Sequence, residues 1–367
     1  MTQNRFNRRN FFQKLTYLCC GSILPENILA YVFPDLAFFQ DDNNTNTKSA
    51  MSITPDDMSP EFEPGYLKLH RKGELRERAE VLWNMMHNCR LCPRECEQDR
   101  ISGQAGDYCN ATSQLQISSF NPHFGEEEPL VGTNGSGTIF FTNCAMLCVF
   151  CINWEISQYG LGKSYNIKKL SDMMLNLQKA GCHNINVVTP THYSPHILFA
   201  LDEAAAKGLR LPVAYNTSGW ERLEILQLLD GVIDIYLTDF KYHDPDLADK
   251  YSPGAVTYPE ITKKAVIEMN RQVGVADPAK NGGILQSGLI IRHLVMPNNA
   301  GGTAEIMKWI AGNLPQNTYI NLMSQYTPVF KAHDYPDISR RLTVREYQEA
   351  VRAAYAAGLT SLDIQGT

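Results

Sequence analysis

The chain has 367 residues, of which 44% are hydrophobic and 20% charged, and its formal net charge is −6. This length is enough for a large hydrophobic core, either in one big α/β domain with additions or in two domains. The acidic balance and the lack of a dense basic stripe argue against a nucleic-acid-binding protein. No run of eighteen uninterrupted apolar residues is present, so we expect no ordinary membrane span.

Residues 1–40 form a basic and apolar arm in which Arg8 and Arg9 precede the aromatic Phe11. An arginine pair followed by a short apolar stretch is typical of a twin-arginine export signal. A basic, loosely ordered arm explains the same residues equally well, and both interpretations stay open. The polar segment that follows, 41–65, predicts a linker.

Residues 66–114 predict a helix followed by a loop that is rich in cysteine. The helix is expected over 66–87, where apolar residues recur at helical spacing. The loop carries four thiols in a short, glycine-punctuated stretch, namely Cys89, Cys92, Cys96 and Cys109. Tight clusters in a long chain favour metal ligation over a disulfide framework. Four soft ligands suit a zinc site or a four-thiolate cluster, and packed, reduced thiols are the alternative.

Strand-like and helix-like segments alternate over residues 115–330. Strands are expected in the segments GTIFF, NINVVT, LPVAYN, DIYLTDF, GLIIRHLVM and TYINLMSQ, the last of which closes the series. Strands alternating with helices predict a parallel sheet, and six or more such units predict an α/β fold built as a full or partial parallel βα barrel. Residues 331–367 predict a helical extension, whose last helix starts with a capping box of Thr343 and Glu346.

Three further cysteines, Cys144, Cys148 and Cys151, follow the first of these strands with the spacing C-x3-C-x2-C. They are expected on a loop at the C-terminal ends of the strands, where the active site of a βα barrel collects. Thiolates on such a loop can hold three irons of a 4Fe-4S cluster, whereas a structural or electron-transfer cluster normally has four protein ligands. The missing fourth ligand would leave an open coordination position, as in catalytic zinc sites.

This spacing, with the aromatic Phe150 directly before the last cysteine, resembles the signature of the radical S-adenosylmethionine (SAM) superfamily. The segments FGEEEPLVG, VTPTHYSPHI, YNTSGWE, DIYLTDFKY and RHLVMP, taken with the first cysteine group, resemble the branch related to pyruvate formate-lyase activating enzyme. The likeness runs from residue 89 to about residue 330. It implies a barrel of the radical SAM type, a 4Fe-4S cluster whose fourth iron is chelated by SAM, and reductive cleavage of SAM to a 5'-deoxyadenosyl radical that abstracts hydrogen.

The resemblance also implies contacts to SAM at the strand ends, with Phe150 counted among the residues around the cofactor. The superfamily usually has a glycine-rich segment after its second strand, but this chain has VVTPTH, so Thr189, Thr191 or His192 must face the methionine moiety differently. A histidine satisfied at a strand end is the alternative for His192.

Further implied contacts follow the later strands, and they are Asn216, Ser218, Asp239, Lys241 and Arg292. Asp239 and Lys241 lie two apart on one side of a strand, where they either pair with each other or point at SAM or substrate. Arg292 lies in an apolar strand and needs a partner, for which a SAM carboxylate and a core Asp or Glu are both suitable. The acidic run 126–128 is interpreted as a solvated turn.

The family branch implies an activase that abstracts a hydrogen atom from a backbone glycine of a partner glycyl-radical enzyme, with electrons from a donor such as flavodoxin or ferredoxin. One alternative is radical SAM modification of a small molecule or another polypeptide. Another is an iron–sulfur redox protein without SAM chemistry. SAM and a low-potential reductant are both cytoplasmic, so we expect a cytoplasmic protein, with twin-arginine export as the alternative.

Overall fold

A computed structural model of the chain describes residues 62–364. The arm predicted at 1–40 and all but the last four residues of the predicted linker lie outside the described residues. None of the helices that the structure describes is long and apolar enough to cross a membrane.

A single sheet runs through the described residues. Its strands are β1 (Leu115–His123), β2 (Ser136–Phe141), β3 (Lys163–Tyr165), β4 (Ile185–Val188), β5 (Val213–Thr217), β6 (Ile235–Asp239), β7 (Gly288–Leu294), β8 (Tyr319–Met323) and β9 (Leu362–Ile364). Their order is β3-β1-β2-β4-β5-β6-β7-β8-β9, and the strands from β2 to β9 pair in parallel, while β1 is antiparallel to both β2 and β3. The sheet is open, with β3 and β9 at its edges. This confirms an α/β fold with a mostly parallel sheet, which is compatible with a partial barrel.

Helices connect the parallel strands, as the alternating sequence pattern predicts. The α-helices of the described residues are α1 (Gly65–Lys72), α2 (Glu74–Asn84), α3 (Glu128–Val131), α4 (Trp154–Ser157), α5 (Ile167–Lys179), α6 (Ser194–Ala206), α7 (Leu223–Leu229), α8 (Pro245–Tyr251), α9 (Tyr258–Val273), α10 (Thr303–Asn313) and α11 (Val344–Ala356). The short helix α8 is stabilised by the Asp244 side chain, which accepts hydrogen bonds from the first N–H groups of the helix.

The helix expected over 66–87 is interrupted. Gly73 has a φ of 79° and ends α1 in the left-handed conformation, after which α2 begins. A left-handed residue cannot continue an α-helix, and glycine adopts this conformation without steric cost. The two helices pack against α6. Tyr66 donates a hydrogen bond to the Leu211 carbonyl oxygen, and the Trp83 ring lies 4.9 Å from the His196 ring.

The C-terminal extension contributes to the sheet as well as to the helical layer. The predicted capping box is confirmed, with Thr343 and Glu346 bonding each other's backbone N–H groups at the start of α11. The prediction that the strand at 319–323 closes the series is wrong, because β9 pairs in parallel with it. This strand is only three residues long, and a segment that short carries little sequence pattern.

The parallel strands bring the candidate site residues to one edge of the sheet. Every residue of β5 is buried, and so are four of the five residues of β6, as expected for strands covered on both faces. Since β2, β4, β5, β6 and β7 run in the same direction, the loops that leave their C-terminal ends lie together. Those loops, together with the C-terminal parts of the strands, carry the three-cysteine pattern and all the predicted SAM contacts after residue 188.

Candidate functional site

The three cysteines at 144, 148 and 151 lie on the loop between β2 and α4, here called the three-Cys loop. All three are free thiols. Asn143 and Leu147 have left-handed backbones, with φ of 71° and 55°, which is uncommon outside glycine. These turns keep the loop compact, and the Cys151 N–H donates to the Cys148 carbonyl oxygen at 3.2 Å.

Each sulfur of the three-Cys loop has a hydrogen-bonding neighbour. These neighbours are the Met146 N–H at 3.4 Å from Cys144, the Ser252 hydroxyl at 3.1 Å from Cys148 and the Ser157 hydroxyl at 3.2 Å from Cys151. Two of the donors come from outside the loop, at the ends of α4 and α8. Hydrogen bonds to sulfur orient a thiolate ligand and tune the centre that it holds.

Burial favours the protonated form of two thiols on this loop, Cys144 and Cys151. Burial raises the pKa of Cys144 to about 12, and the neighbouring Cys148 sulfur adds to the shift. Burial likewise raises the pKa of Cys151. Lys241 opposes both shifts, because its positive charge favours the thiolates. Binding of a metal centre would therefore release protons from these thiols.

Next to this loop lies a buried network of charged side chains from β6 and β7. Lys241 Nζ lies 2.5 Å from Asp239 Oδ2, so the two residues pair with each other, as one of the two sequence interpretations expected. Arg292 donates from Nε to Asp239 Oδ1 at 2.9 Å and from Nη2 to Asn216 Oδ1 at 2.6 Å. Although burial opposes ionisation, Arg292 and Lys241 hold the pKa of Asp239 below its ordinary value.

Two acids of the run 126–128 belong to this network, which sequence reasoning missed. Arg292 Nη1 lies 3.4 Å from Glu126 Oε2. Glu127 is only 5% exposed and accepts a hydrogen bond from Asn321 at 2.8 Å, while its Oε2 has no hydrogen-bond partner. The solvated-turn interpretation is wrong for both glutamates and holds only for the exposed Glu128. No local signal distinguishes the three acids, because their burial depends on distant strands.

The hydroxyl of Thr191, which follows β4, forms a hydrogen bond within the protein. It donates to Oε1 of Glu221 at 2.6 Å, and the Thr217 hydroxyl donates to the same atom. Glu221 is fully buried, and burial raises its pKa to about 7. Sequence reasoning did not select Glu221, although an acid between the apolar residues of the segment GWERL was a usable signal.

His192 and Thr189 are also engaged by backbone groups. His192 Nε2 lies 2.8 Å from the Thr142 carbonyl oxygen, so this nitrogen carries the proton and donates it. Burial lowers the pKa of His192 to about 3, which leaves the ring neutral. Thr189 has a φ of 58°, and its N–H donates to the Asn216 carbonyl oxygen at 2.9 Å. The turn that replaces the glycine-rich segment is therefore fixed by the neighbouring strand.

The remaining predicted residues lie at the same edge of the sheet. Phe150 is 6% exposed, and its ring packs against those of Tyr242 and Tyr326 at 6.4 and 5.9 Å. Ser218 is half-buried, and its carbonyl oxygen accepts a hydrogen bond from the Tyr258 hydroxyl at 2.8 Å. The same hydroxyl is 3.1 Å from the Asp239 carbonyl oxygen, so Tyr258 ties the ends of β5 and β6 together.

The other cysteine group, on the segment 89–109 that we call the four-Cys loop, lies beside the three-Cys loop. Arg94 connects the two, because its Nε donates to the Ala145 carbonyl oxygen at 2.9 Å and its Nη2 to the Pro253 carbonyl oxygen at 2.7 Å. The guanidinium also stacks over the rings of Tyr108 and Trp220, at 4.0 and 4.8 Å. Sequence spacing did not predict that the two groups would be neighbours.

Neither cysteine group forms a ready-made site for a single ion. Among residues 62–364, no group of three or more His, Cys, Asp or Glu side chains is arranged to hold one metal ion. A single ion needs ligands that converge on one point, whereas an iron–sulfur cluster takes thiolates on separate irons. The metal and cluster assignments for both groups therefore remain predictions.

Comparison with known proteins identifies a relative but no activity. No family model matches the chain. It is 32% identical over 303 residues to the uncharacterized protein MJ0674 of Methanocaldococcus jannaschii, an alignment that covers 80% of this chain and 82% of the relative. At this identity and coverage, the chain belongs to the same family as MJ0674.

Proposed function

We propose that the protein is a radical SAM enzyme that binds a 4Fe-4S cluster through Cys144, Cys148 and Cys151. The observation that carries this proposal is the three-Cys loop itself. Three free thiols follow one another on a short loop at the C-terminal edge of a parallel sheet, and each has its own hydrogen-bonding neighbour. When bound there, the cluster and SAM would supply a 5'-deoxyadenosyl radical that takes a hydrogen atom from a substrate.

The soft sulfur ligands fit an iron–sulfur cluster, and the three donors to sulfur would hold the thiolates in orientation. Phe150 anchors the loop on the core, because its ring packs against those of Tyr242 and Tyr326 directly before Cys151. Lys241 adds a positive charge near the loop and favours the thiolate forms of Cys144 and Cys151. These are tasks of the chain's own residues, whichever substrate the enzyme uses.

The buried charge network supports SAM as the co-substrate. Its carboxylates, on Asp239, Glu126 and Glu127, outnumber its permanent cations, on Lys241 and Arg292, by one formal charge as long as His123, 4.0 Å from Glu126, is neutral. A ligand with a net positive charge, such as SAM with its ammonium, carboxylate and sulfonium groups, would balance this excess. Arg292 and Lys241 would orient the carboxylate, while the unpartnered Oε2 of Glu127 would face a donor.

For the substrate we propose a backbone glycine of a partner glycyl-radical enzyme, with electrons from a donor such as flavodoxin or ferredoxin. This part rests on the sequence resemblance. Modification of a small molecule or another polypeptide is the alternative. We further propose a cytoplasmic location, since SAM and low-potential electrons are available there.

The test is SAM cleavage by anaerobically reconstituted protein. With dithionite as reductant, the wild-type protein should convert SAM to 5'-deoxyadenosine and methionine, measured by chromatography and mass spectrometry. The Cys144→Ala variant should not, while Cys182→Ala, which removes a buried thiol from the hydrophobic core elsewhere, should retain activity. With a true glycyl-radical partner, a doublet organic radical signal should appear on that partner.

The opposite result is equally clear. A fully loaded, reduced protein that binds SAM but never cleaves it would overturn the enzyme proposal in favour of an iron–sulfur redox protein. Cleavage that is accelerated by a small molecule, with deuterium transfer from that molecule into 5'-deoxyadenosine, would replace the glycyl-radical partner by the small-molecule alternative.

A further inference from the structure

The four-Cys loop brings its sulfurs around one small pocket. The thiols that line it are those of Cys89, Cys92, Cys96 and Cys109. Two of these sulfurs lie over Gly106, where an added Cβ atom would be 2.6 Å from the Cys109 sulfur and 3.8 Å from the Cys96 sulfur. A side chain at this position would push the Cys109 sulfur aside, so the glycine leaves room for that thiol beside Cys96.

The backbone of the four-Cys loop is sharply bent. Glu95, Glu97 and Asn110 have left-handed conformations, with φ of 42°, 58° and 56°. Three such residues within sixteen positions are unusual, since this conformation is costly outside glycine. Two backbone hydrogen bonds between Cys89 and the segment 97–98 close the turn. These bends fold the loop back on itself next to Cys89.

A buried cation independently points to a ligand in this pocket. Arg100 is completely buried and lines the pocket. Its Nη1 lies 3.7 Å from the Cys89 sulfur and its Nη2 donates to the Thr112 carbonyl oxygen, but its Nε has no hydrogen-bond partner. Among residues 62–364, no carboxylate forms an ion pair with Arg100. A guanidinium is always charged, and burial of an unpaired charge is strongly unfavourable.

We propose that Cys89, Cys92, Cys96 and Cys109 form a closed tetrathiolate metal site, with Arg100 as its buried counter-cation. Each thiol gives up its proton to solvent as its sulfur bonds the metal centre, so the centre carries a net negative charge beside the guanidinium. Zinc and an iron–sulfur cluster both take four thiolates and share this chemistry. The thiols must turn toward a common centre, because their present arrangement is not that of a single-ion site.

The site does not depend on the proposed radical chemistry. Four protein ligands leave no open position, so the centre would hold its loop together rather than bind a substrate. A metal centre in the four-Cys loop would also stabilise the three-Cys loop, because Arg94 donates a hydrogen bond to the Ala145 carbonyl oxygen.

The experiment uses the full chain with Cys144, Cys148 and Cys151 changed to alanine, so that the three-Cys loop can no longer bind metal. This variant is loaded anaerobically with Zn²⁺ alone or with Fe²⁺ and sulfide, and its metal and sulfide contents are measured after desalting. We expect each chain to retain about one zinc, or about four irons and four sulfides. The loading that is retained shows whether the centre is zinc or an iron–sulfur cluster. Changing the other four cysteines to serine as well should abolish retention.

Absence of metal in both arms, or equal retention after all seven cysteines are replaced, would overturn the proposal. Because the serine variant can fail to fold, a second measurement uses the alanine variant alone. Bound metal should slow alkylation of its four remaining loop thiols at least tenfold relative to chelator-treated protein, mapped by mass spectrometry. Equal alkylation rates would contradict a metal site.

The role of Arg100 is tested by Arg100→Met and Arg100→Lys in the same background. Loss of the counter-cation should weaken metal binding about 10- to 100-fold, as for other groups just outside a ligand shell. The lysine variant keeps the charge and should recover most of the affinity, with folding of both checked by circular dichroism. Unchanged affinity in Arg100→Met would exclude a counter-cation role.

Discussion

The two cysteine loops lie side by side and both carry free thiols that are buried or half-buried, yet the surroundings of these thiols differ. The three-Cys loop has neutral donors to its sulfurs and borders a network of paired charges at the open edge of the sheet. The four-Cys loop encloses its thiols with the buried guanidinium of Arg100, which lies 6.0 Å from the Tyr193 ring and has no carboxylate partner among the described residues. Three thiols next to polar side chains suit a metal centre with one open coordination position, whereas four thiols suit a centre whose coordination is complete. The number of ligands and the nature of their neighbours thus distinguish the roles that we propose.

The largest difference between the loops is expected when their cysteines are removed. The Cys148→Ala variant should lose SAM cleavage entirely, because the cluster would lack a required ligand. Cys89→Ser should reduce the cleavage rate about tenfold or less, equivalent to about 1.4 kcal/mol, since it acts through the support of the neighbouring loop. Product formation per chain is the measurement. Equal loss of activity in the two variants would remove the proposed distinction.

The charge network beside the three-Cys loop is tested by Arg292→Leu. This change removes one of the two cationic partners of the largely buried Asp239, while Lys241 remains. Breaking a buried pair completely costs about 3–5 kcal/mol of folding stability, and that range is the upper limit expected here. SAM binding should weaken as well. Urea unfolding measures the loss of stability, and titration calorimetry measures the affinity for SAM.

Arg271→Leu is the matched control, because it removes an arginine from an exposed ion pair on α9. It should change neither stability nor SAM affinity measurably. If Arg292→Leu behaved like this control, the network would have no structural or binding role.

The pH dependence of folding stability tests the region next to the four-Cys loop through Glu221. This residue follows Trp220, whose ring contacts Arg94 of that loop. Its pKa is raised from about 4.5 in the unfolded chain to about 7 by burial, so the folded state binds more protons between these values. The stabilisation is present below pH 4.5 and is lost as pH rises through 7, amounting to about 3 kcal/mol.

Glu221→Gln keeps an acceptor for Thr191 and Thr217 but removes the titration. Relative to this variant, the wild-type protein should lose stability from pH 4.5 to 7, as measured by urea unfolding at several pH values. Parallel pH profiles of the two proteins would show that Glu221 is ionised throughout, as an ordinary glutamate is.

The smallest effect is expected at the connection between the loops. Arg94→Ala removes two hydrogen bonds from a charged donor and two ring contacts, which should cost about 1.5–3 kcal/mol. It should also make the three-Cys thiols more reactive toward alkylation. Arg90→Ala is the control, since Arg90 is exposed on the same loop. Identical thiol reactivity in both variants would mean that the two loops are independent.

Local patterns in the sequence determined much of the fold. The apolar runs at 136–141, 213–217 and 235–239 are strands as expected, because a parallel sheet covered on both faces requires continuous apolar segments. The capping box at Thr343 is likewise confirmed, since all its partners lie within one turn of helix. The break at Gly73 was available from its residue type but was hidden by strong helical spacing on both sides.

What the sequence by itself determined is the α/β class, the alternation of helices with the six parallel strands β2 and β4 to β8, and the spacing of the two cysteine groups. Only the tertiary structure decided that the sheet stays open, that Glu127 is buried against Asn321, and that Arg94 joins the two cysteine loops. Periodicity and capping act between residues a few positions apart, so they can be recognised in the sequence. Glu127 and Asn321 lie 194 positions apart, and such a contact exists only once the strands between them have assembled.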